Sequence, residues 1–500
     1  MTLVEMLEVN AKKFPEKPAI VYYDVKITYK EFNETVNKLS NALTAMGFKK
    51  GERVGLMLPR VPELVASFLS IAKVQGIAVP ISFELLSEKI RTILTDILPR
   101  CLIVYHLFLD LARRSLPSGL GIPIIAVGGG GKGEDISWAD MLNGKSPDNP
   151  SLEVKDGDVV YLNYTSGSTG NPRGAVTTHS NIYWNTVASV DALKLTSEDV
   201  HICMFAPFAH PHEIFARPLY LGGTMVLIDK IYPKSLAEAI SKHGVTCMMG
   251  LAPMYENLLD VLKLKTYDLS SLRVPESGGM YTRTELVKRF KQKVGVPIIP
   301  VWGSTETTGI AIANRPEEDI LPGSIGRPLN SYKVRIVNED DRDIPPGETG
   351  EMIFKGPAVV KHYYEEISSN QACFRDGWYY SGDLGKKDKK GNFYFGERKT
   401  GMMKVAGLKV YPLEIELVLM DHPDIKEVAV ISARDKLRGE VPRAIIVTND
   451  GIKLTEKEIV GFCKERLPHY KIPRILEIRE SLPKTGSGKI NKKVLQMEYA

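Results

Sequence analysis

From the first residue to about residue 130, segments with an apolar residue every three or four positions alternate with short unbroken apolar runs. That alternation of period restricts the chain to wound βα units around a largely parallel sheet. Phe32, Val36, Leu39, Leu43 and Met46 fall on one helical face, whereas the runs 53–58 and 76–81 read as strands buried on both sides. The glycines at 128–131 read as a loop. Between 334 and 396 the texture changes to short strands cut by turns, at 350–356 and 391–396, which predicts a smaller antiparallel subdomain. Beyond residue 400, a helix at 411–420, strands at 427–431 and 443–448 and a helix at 455–467 predict a separate α+β unit. Five hundred residues exceed what one core organises, so several domains are expected.

Charge and cysteine usage exclude several classes of function. Lys and Arg number 65 against 60 Asp and Glu, and the densest basic cluster, 386–390, reads as a solvated turn, so no nucleic-acid partner is expected. Cys101, Cys203, Cys247, Cys373 and Cys463 stand far apart with no zinc spacing, which fits a reducing, cytoplasmic setting. Residues 1–20 carry acids inside their only apolar stretch, unlike a secretory leader. No apolar run approaches the ~20 residues of a membrane helix, although peripheral membrane contact through an exposed apolar face stays open.

The segment 159–175 is the most informative. An apolar strand runs into Thr165, Ser166, Gly167, Ser168, Thr169 and Gly170, and Arg173 follows. Glycines allow close backbone approach to a polyphosphate, hydroxyls and N–H groups donate to its oxygens, and a cation offsets its charge. A flexible Gly/Ser linker has a similar composition. The strand before the loop and the helix-like 178–182 after it favour a phosphate cradle within a fold. It is not a Walker A loop.

The loop resembles the signature of the acyl-adenylate-forming superfamily: acyl-CoA synthetases, peptide-synthetase adenylation domains and beetle luciferases. Other segments agree in order: the Ile27 to Glu31 opening, Pro207 to His210, Ser277-Gly278-Gly279, Val301 to Glu306, Gly323 to Pro328, Tyr380 to Leu384, Lys404 to Gly407 and Pro483 to Lys489. The resemblance implies an α/β fold: a large N-terminal domain, 1–397, of wound βα subdomains plus a small antiparallel subdomain, and a mobile α+β C-terminal domain, 398–500. It implies activation of a carboxylic acid by ATP and Mg²⁺ to acyl-AMP, then transfer to coenzyme A. The 165–173 loop would hold the β- and γ-phosphates, Thr305 would touch the α-phosphate, and Glu306 would bind Mg²⁺. Asp383 and Arg398 would hold the ribose. Ser277 to Gly279 and Trp302, Gly303 and Ser304 would flank adenine. Lys489 would bridge carboxylate and α-phosphate, His210 would stand at the acyl pocket, Gly407 would line the CoA tunnel, and Thr400 and Gly401 would form the hinge. Taken singly, Lys489 also fits a surface lysine, Asp383 a turn cap and Glu306 a helix N-terminal acid.

Three departures from the family pattern stand out: Arg173 replaces the loop's usual Lys, Glu213 replaces a pocket glycine, and Thr400-Gly401 replaces a charged hinge pair. Length and motif texture resemble bacterial medium- to long-chain fatty-acid CoA ligases. Aryl acids, an acyl-carrier-protein acceptor and a non-catalytic acyl-adenylate sensor remain alternatives.

Overall fold

The computed structural model describes residues 1–119, 121–129, 133, 135–165, 173–435, 437–484 and 489–499, with Thr165, Ile367 and Thr400 described by backbone alone. The chain divides into two compact units, residues 1–334 with 354–379, and residues 335–353 with 380–500.

The first unit holds two twisted sheets. In one, the strand order is Ile136–Ser137, Ile124–Val127, Cys101–Tyr105, Arg53–Met57, Ile77–Pro80, Val159–Thr165 and Arg173–Thr178. All neighbours are parallel except the last pair. The runs at 53–58 and 76–81 are therefore the buried parallel strands their composition predicts. Helices Pro62–Lys73 and Ser87–Ile97 provide crossovers. Thr28 and Glu31 form a capping box that starts the helix Tyr29–Ala45, whose Phe32, Val36, Leu39 and Leu43 are buried. Met46 is the C-cap rather than part of that face.

The second sheet of this unit runs Val25–Thr28, Pro18–Tyr22, Thr224–Leu227, Val200–Cys203, Cys247–Gly250, Val274–Ser277, Ile299–Ser304, Gly309–Ala313 and Ser324–Pro328. Its centre, from Pro18–Tyr22 through Ile299–Ser304, is parallel. Adjacent parallel strands send their carboxyl ends to one edge, where α/β sheets place ligands.

Arg173–Thr178 is a strand antiparallel to Val159–Thr165, a return the sequence did not suggest, and the helix expected at 178–182 starts at His179. Thr178 ends the strand and caps that helix.

Lys333–Val337, Gly350–Lys355, Trp378–Lys387 and Phe393–Arg398 are neighbours in that order, and most of each strand belongs to the second unit. Lys386 and Lys387 end a strand, and only 388–391 turns, with Asp388 accepting from the N–H groups of Lys390 and Asn392. A further sheet contains Leu408–Val410, Met403–Val405, Gly439–Thr448 and Ile425–Asp435, with Ile475–Ile478 parallel to Gly439–Thr448. Helices Pro412–Met420 and Glu456–Lys464 cover it through Ile415, Leu419, Ile459 and Cys463. Among the described residues no helix is long and apolar enough to cross a membrane.

Candidate active site

Three of the predicted motif segments leave the same edge of one sheet. The chain to His210 follows Val200–Cys203, Ser277 ends its strand with Gly278 and Gly279 following, and Thr305 and Glu306 follow Ile299–Ser304. Ser277 lies opposite Pro300 in the parallel ladder. A Cβ on Gly278 would stand 2.9 Å from Val301 Cγ2, so the missing side chain permits this close approach. The turn after Ser304 is held locally: Ser304 N–H donates to Thr307 Oγ1 at 2.9 Å, and the Thr307 hydroxyl donates to Gly309 O at 2.8 Å. Thr305 is half-buried and Glu306 buried. The Trp302 indole is committed to a parallel stack on Phe354, with centroids 4.4 Å apart.

Thr165 and Arg173 are cross-strand partners at the base of the predicted phosphate loop. Ser166, Gly167, Ser168, Thr169 and Gly170 lie outside the described residues. Arg173 stands over the Tyr363 ring, 5.7 Å from its centroid, and the Tyr363 hydroxyl donates to Glu306 Oε1 at 2.7 Å. His210 lies 5.7 Å from the Phe205 ring and is half-buried.

The departure at Glu213 has a structural counterpart. Its carboxylate is buried 3.3 Å from Arg217 Nη2, and Arg217 Nη1 donates to both oxygens of Glu276 at 2.8 and 3.0 Å. Burial alone would lower the Arg217 pKa; Glu276 and Glu213 outweigh it and raise the value. Burial pushes Glu276 up to about 7, with Arg217 opposing. Glu213 Oε1 also accepts from Ile310 N–H at 3.4 Å, against Gly309, where a Cβ would stand 2.2 Å from that oxygen. The cluster therefore ties the His210 turn, the strand ending at Ser277 and the hairpin beyond Glu306. The sequence reading passes over Arg217 and Glu276; the available signal is an acid inside the otherwise apolar strand Val274–Ser277.

The remaining predicted residues lie in the second unit. Asp383 and Arg398 are directly opposed in an antiparallel pair, which puts both side chains on one face. Arg398 Nε lies 2.6 Å from Asp383 Oδ1; the arginine side chain is 57% exposed and the aspartate only 5%. Ser381 and Glu351 brace the turn, accepting from Asp383 N–H and Gly382 N–H at 3.0 Å each. Burial, then Arg398, lowers the pKa of Lys489, while Asp383 opposes the shift. Three residues on, Lys492 reaches Glu416 at 2.8 Å and Glu397 at 3.7 Å, which anchors the helix Lys492–Glu498 behind Lys489. Lys399–Gly401 form one 3₁₀ turn. Ala406 and Gly407, with φ of 49° and 83°, make the two-residue turn between Met403–Val405 and Leu408–Val410.

Among the described residues no three acids, histidines or cysteines gather into a metal cage. A single buried carboxylate suits Mg²⁺ that takes its other oxygens from nucleotide phosphates and water. Glu306, beside the Thr305 hydroxyl, fits that requirement.

The AMP-binding enzyme family profile matches residues 7–364, and the AMP-binding enzyme C-terminal domain profile matches 414–489. A long-chain-fatty-acid–CoA ligase of Bacillus subtilis (strain 168) is 31% identical over 99% of this chain and 94% of its own. A feruloyl-CoA synthase of Amycolatopsis sp is 31% identical over 97% of this chain and 96% of its own. Among solved structures, the anthranilate CoA ligase AuaEII in complex with anthranoyl-AMP superposes with a TM-score of 0.92 at 30% identity, covering 100% of this chain and 97% of that one. ATP-bound MatB from Rhodopseudomonas palustris gives 0.91 at 26% identity, covering 100% and 99%.

Proposed function

The chain belongs to the AMP-binding enzyme family, and from that premise we propose that its substrate is an apolar acid, a medium- to long-chain fatty acid. The reaction is acyl-CoA ligation through an acyl-adenylate: an acid and ATP give acyl-AMP and pyrophosphate, then CoA takes the acyl group and AMP leaves. The observation that carries the substrate reading is the half-buried aromatic group beside the His210 turn. Phe83 stacks on Phe108 at 4.1 Å and meets the edge of Phe208 at 5.7 Å. Apolar walls of this kind suit an acyl group without charge.

A substrate carboxylate is already a nucleophile, so the chain's residues have to align two anions and offset their charge. Lys489 takes the bridging cation's role between carboxylate and α-phosphate. Asp383 and Arg398 hold the ribose, Ser277 to Gly279 and Trp302 to Ser304 flank adenine, and Thr305 donates to the α-phosphate. Thr165, the 166–170 loop and Arg173 take the distal phosphates, and Mg²⁺ held by Glu306 would neutralise phosphate charge. His210 faces the acid. The functional boundary lies at 397/398, the 3₁₀ turn with Thr400 and Gly401 is the hinge, and Gly407 borders the CoA path. Cys101, Cys203, Cys247, Cys373 and Cys463 are free thiols, which supports a cytoplasmic setting.

The aryl-acid reading is favoured by a different observation, the equal identity to the feruloyl-CoA synthase. Pyrophosphate release across acids from acetate to palmitate and several aryl acids, with and without CoA, separates the two. Turnover that rises with chain length and requires CoA supports the fatty-acid reading; preference for an aryl acid overturns it.

A further inference from the structure

Tyr363 belongs to none of the motifs that carry the family resemblance, yet it touches two residues assigned to phosphate and metal. It lies on a short extended segment threaded between them. Val176 N–H donates to His362 O at 3.2 Å, Tyr364 N–H donates to Gly174 O at 2.7 Å, and Val360 N–H donates to Glu306 O at 2.9 Å. The segment therefore runs beside the strand that begins at Arg173 and is fastened to the backbone of Glu306. Asn370 holds the Tyr363 backbone from both sides: its Oδ1 accepts from Tyr363 N–H at 2.6 Å, and its Nδ2 donates to Tyr363 O at 3.0 Å. Phe374 packs edge-on against the ring at 5.4 Å. Ring and backbone are both fixed, so the hydroxyl has little freedom to point anywhere but at Glu306.

We propose that Tyr363 is a positioning residue for the metal-binding step: its hydroxyl pins Oε1 of Glu306 and so orients the carboxylate toward Mg²⁺ carried by the nucleotide. A lone carboxylate on a turn would otherwise rotate about its last torsion, and orientation by a neighbouring donor is the usual way proteins tune a metal ligand. A tyrosine hydroxyl is neutral near pH 7 and so acts as a donor toward the carboxylate. The guanidinium of Arg173 over the same ring couples the phosphate-loop cation to this acid. The planar fork of an arginine can stack on the ring in a way the compact ammonium usual at this position cannot.

The inference rests on the assignment of Glu306 as the Mg²⁺ acid, and the test separates the two. ATP binding is measured calorimetrically with Mg²⁺ and with EDTA for wild type, Tyr363→Phe, Glu306→Gln and the double variant. Tyr363→Phe keeps the ring for Arg173 and Phe374 and removes only the hydroxyl. Its affinity for ATP should fall about tenfold with Mg²⁺ and remain at the wild-type value in EDTA, the size expected for one hydrogen bond to a charged group. The Mg²⁺ concentration for half-maximal pyrophosphate exchange should rise by the same factor. In the Glu306→Gln background the tyrosine change should add nothing. Equal weakening with and without Mg²⁺, or no change in either, overturns the positioning role. Should Glu306→Gln itself leave the Mg²⁺ dependence intact, the assignment of Glu306 fails instead.

Discussion

Two arginines, each paired with acid, define opposite uses of charge in this protein. Arg217 is sealed with Glu213 and Glu276, and all three are buried. Arg398 pairs with one buried aspartate but leaves 57% of its side chain exposed. Water cannot compensate a partner lost from the first group, whereas it readily solvates the second. The first therefore acts as scaffold, locking the elements that carry His210, Ser277 and Glu306. The second, which we propose holds the ribose, can share its partner at little cost to the fold. Burial of the whole cluster, more than the residue types in it, separates a charge that holds the scaffold from one that solvent or ligand can reach.

The sharpest way to break this contrast is Arg217→Met. It strands two buried carboxylates and should cost about 3–5 kcal/mol of stability, read as a large drop in the thermal midpoint. Replacing the cluster together, Glu213→Leu with Arg217→Met and Glu276→Leu, should recover most of that loss. Recovery would show that the charges carry specificity of arrangement rather than net stability.

Lys489→Ala should slow pyrophosphate release by roughly 100- to 1,000-fold with the thermal midpoint unmoved, because its neighbours stay solvated or paired. The companion variant Gly407→Asn tolerates positive φ and should retain pyrophosphate release while thioester formation falls about tenfold. If both variants lose pyrophosphate release alike, the separate roles of the two residues are wrong.

Acid should undo the first unit by its buried histidines. Burial holds His212 near 3 and His179 near 4, and lowers His201 as well, against about 6.5 in an unfolded chain. A depressed pKa gives stability that is complete above about pH 7 and lost as pH falls through 6.5 toward 4. Glu276, raised to about 7, acts with the opposite sign, adding stability as pH falls from 7 toward 4.5. Three histidines outweigh one glutamate, so the thermal midpoint of the first unit should drop by about 5 °C between pH 7.5 and 5. His212→Phe, which cannot take up a proton, should flatten that slope.

The smallest effect belongs to Asp383→Asn. It should raise the KM for MgATP about tenfold and shift the thermal midpoint by no more than about 1 °C. A stability loss comparable to that of Arg217→Met would erase the distinction between the two arginines.

Much of the architecture was legible locally. The buried runs at 53–58 and 76–81 became parallel strands, and Thr28 with Glu31 marked a helix start, because period and capping are set by neighbouring residues. The antiparallel return at Arg173–Thr178 was hidden: a six-residue strand that also supplies a helix cap carries no period of its own. The proposed phosphate loop, the acids at 306 and 383 and the lysine at 489 stood out as motifs, since residues in a short fixed spacing are read from neighbours alone. What only the tertiary structure decided was convergence. Glu213, Arg217 and Glu276 meet through three separate elements, and Tyr363 reaches Glu306 across 57 positions of chain. Their spacing along the sequence follows no period, because the approach of such residues is fixed by strand order and packing rather than by the backbone that joins them.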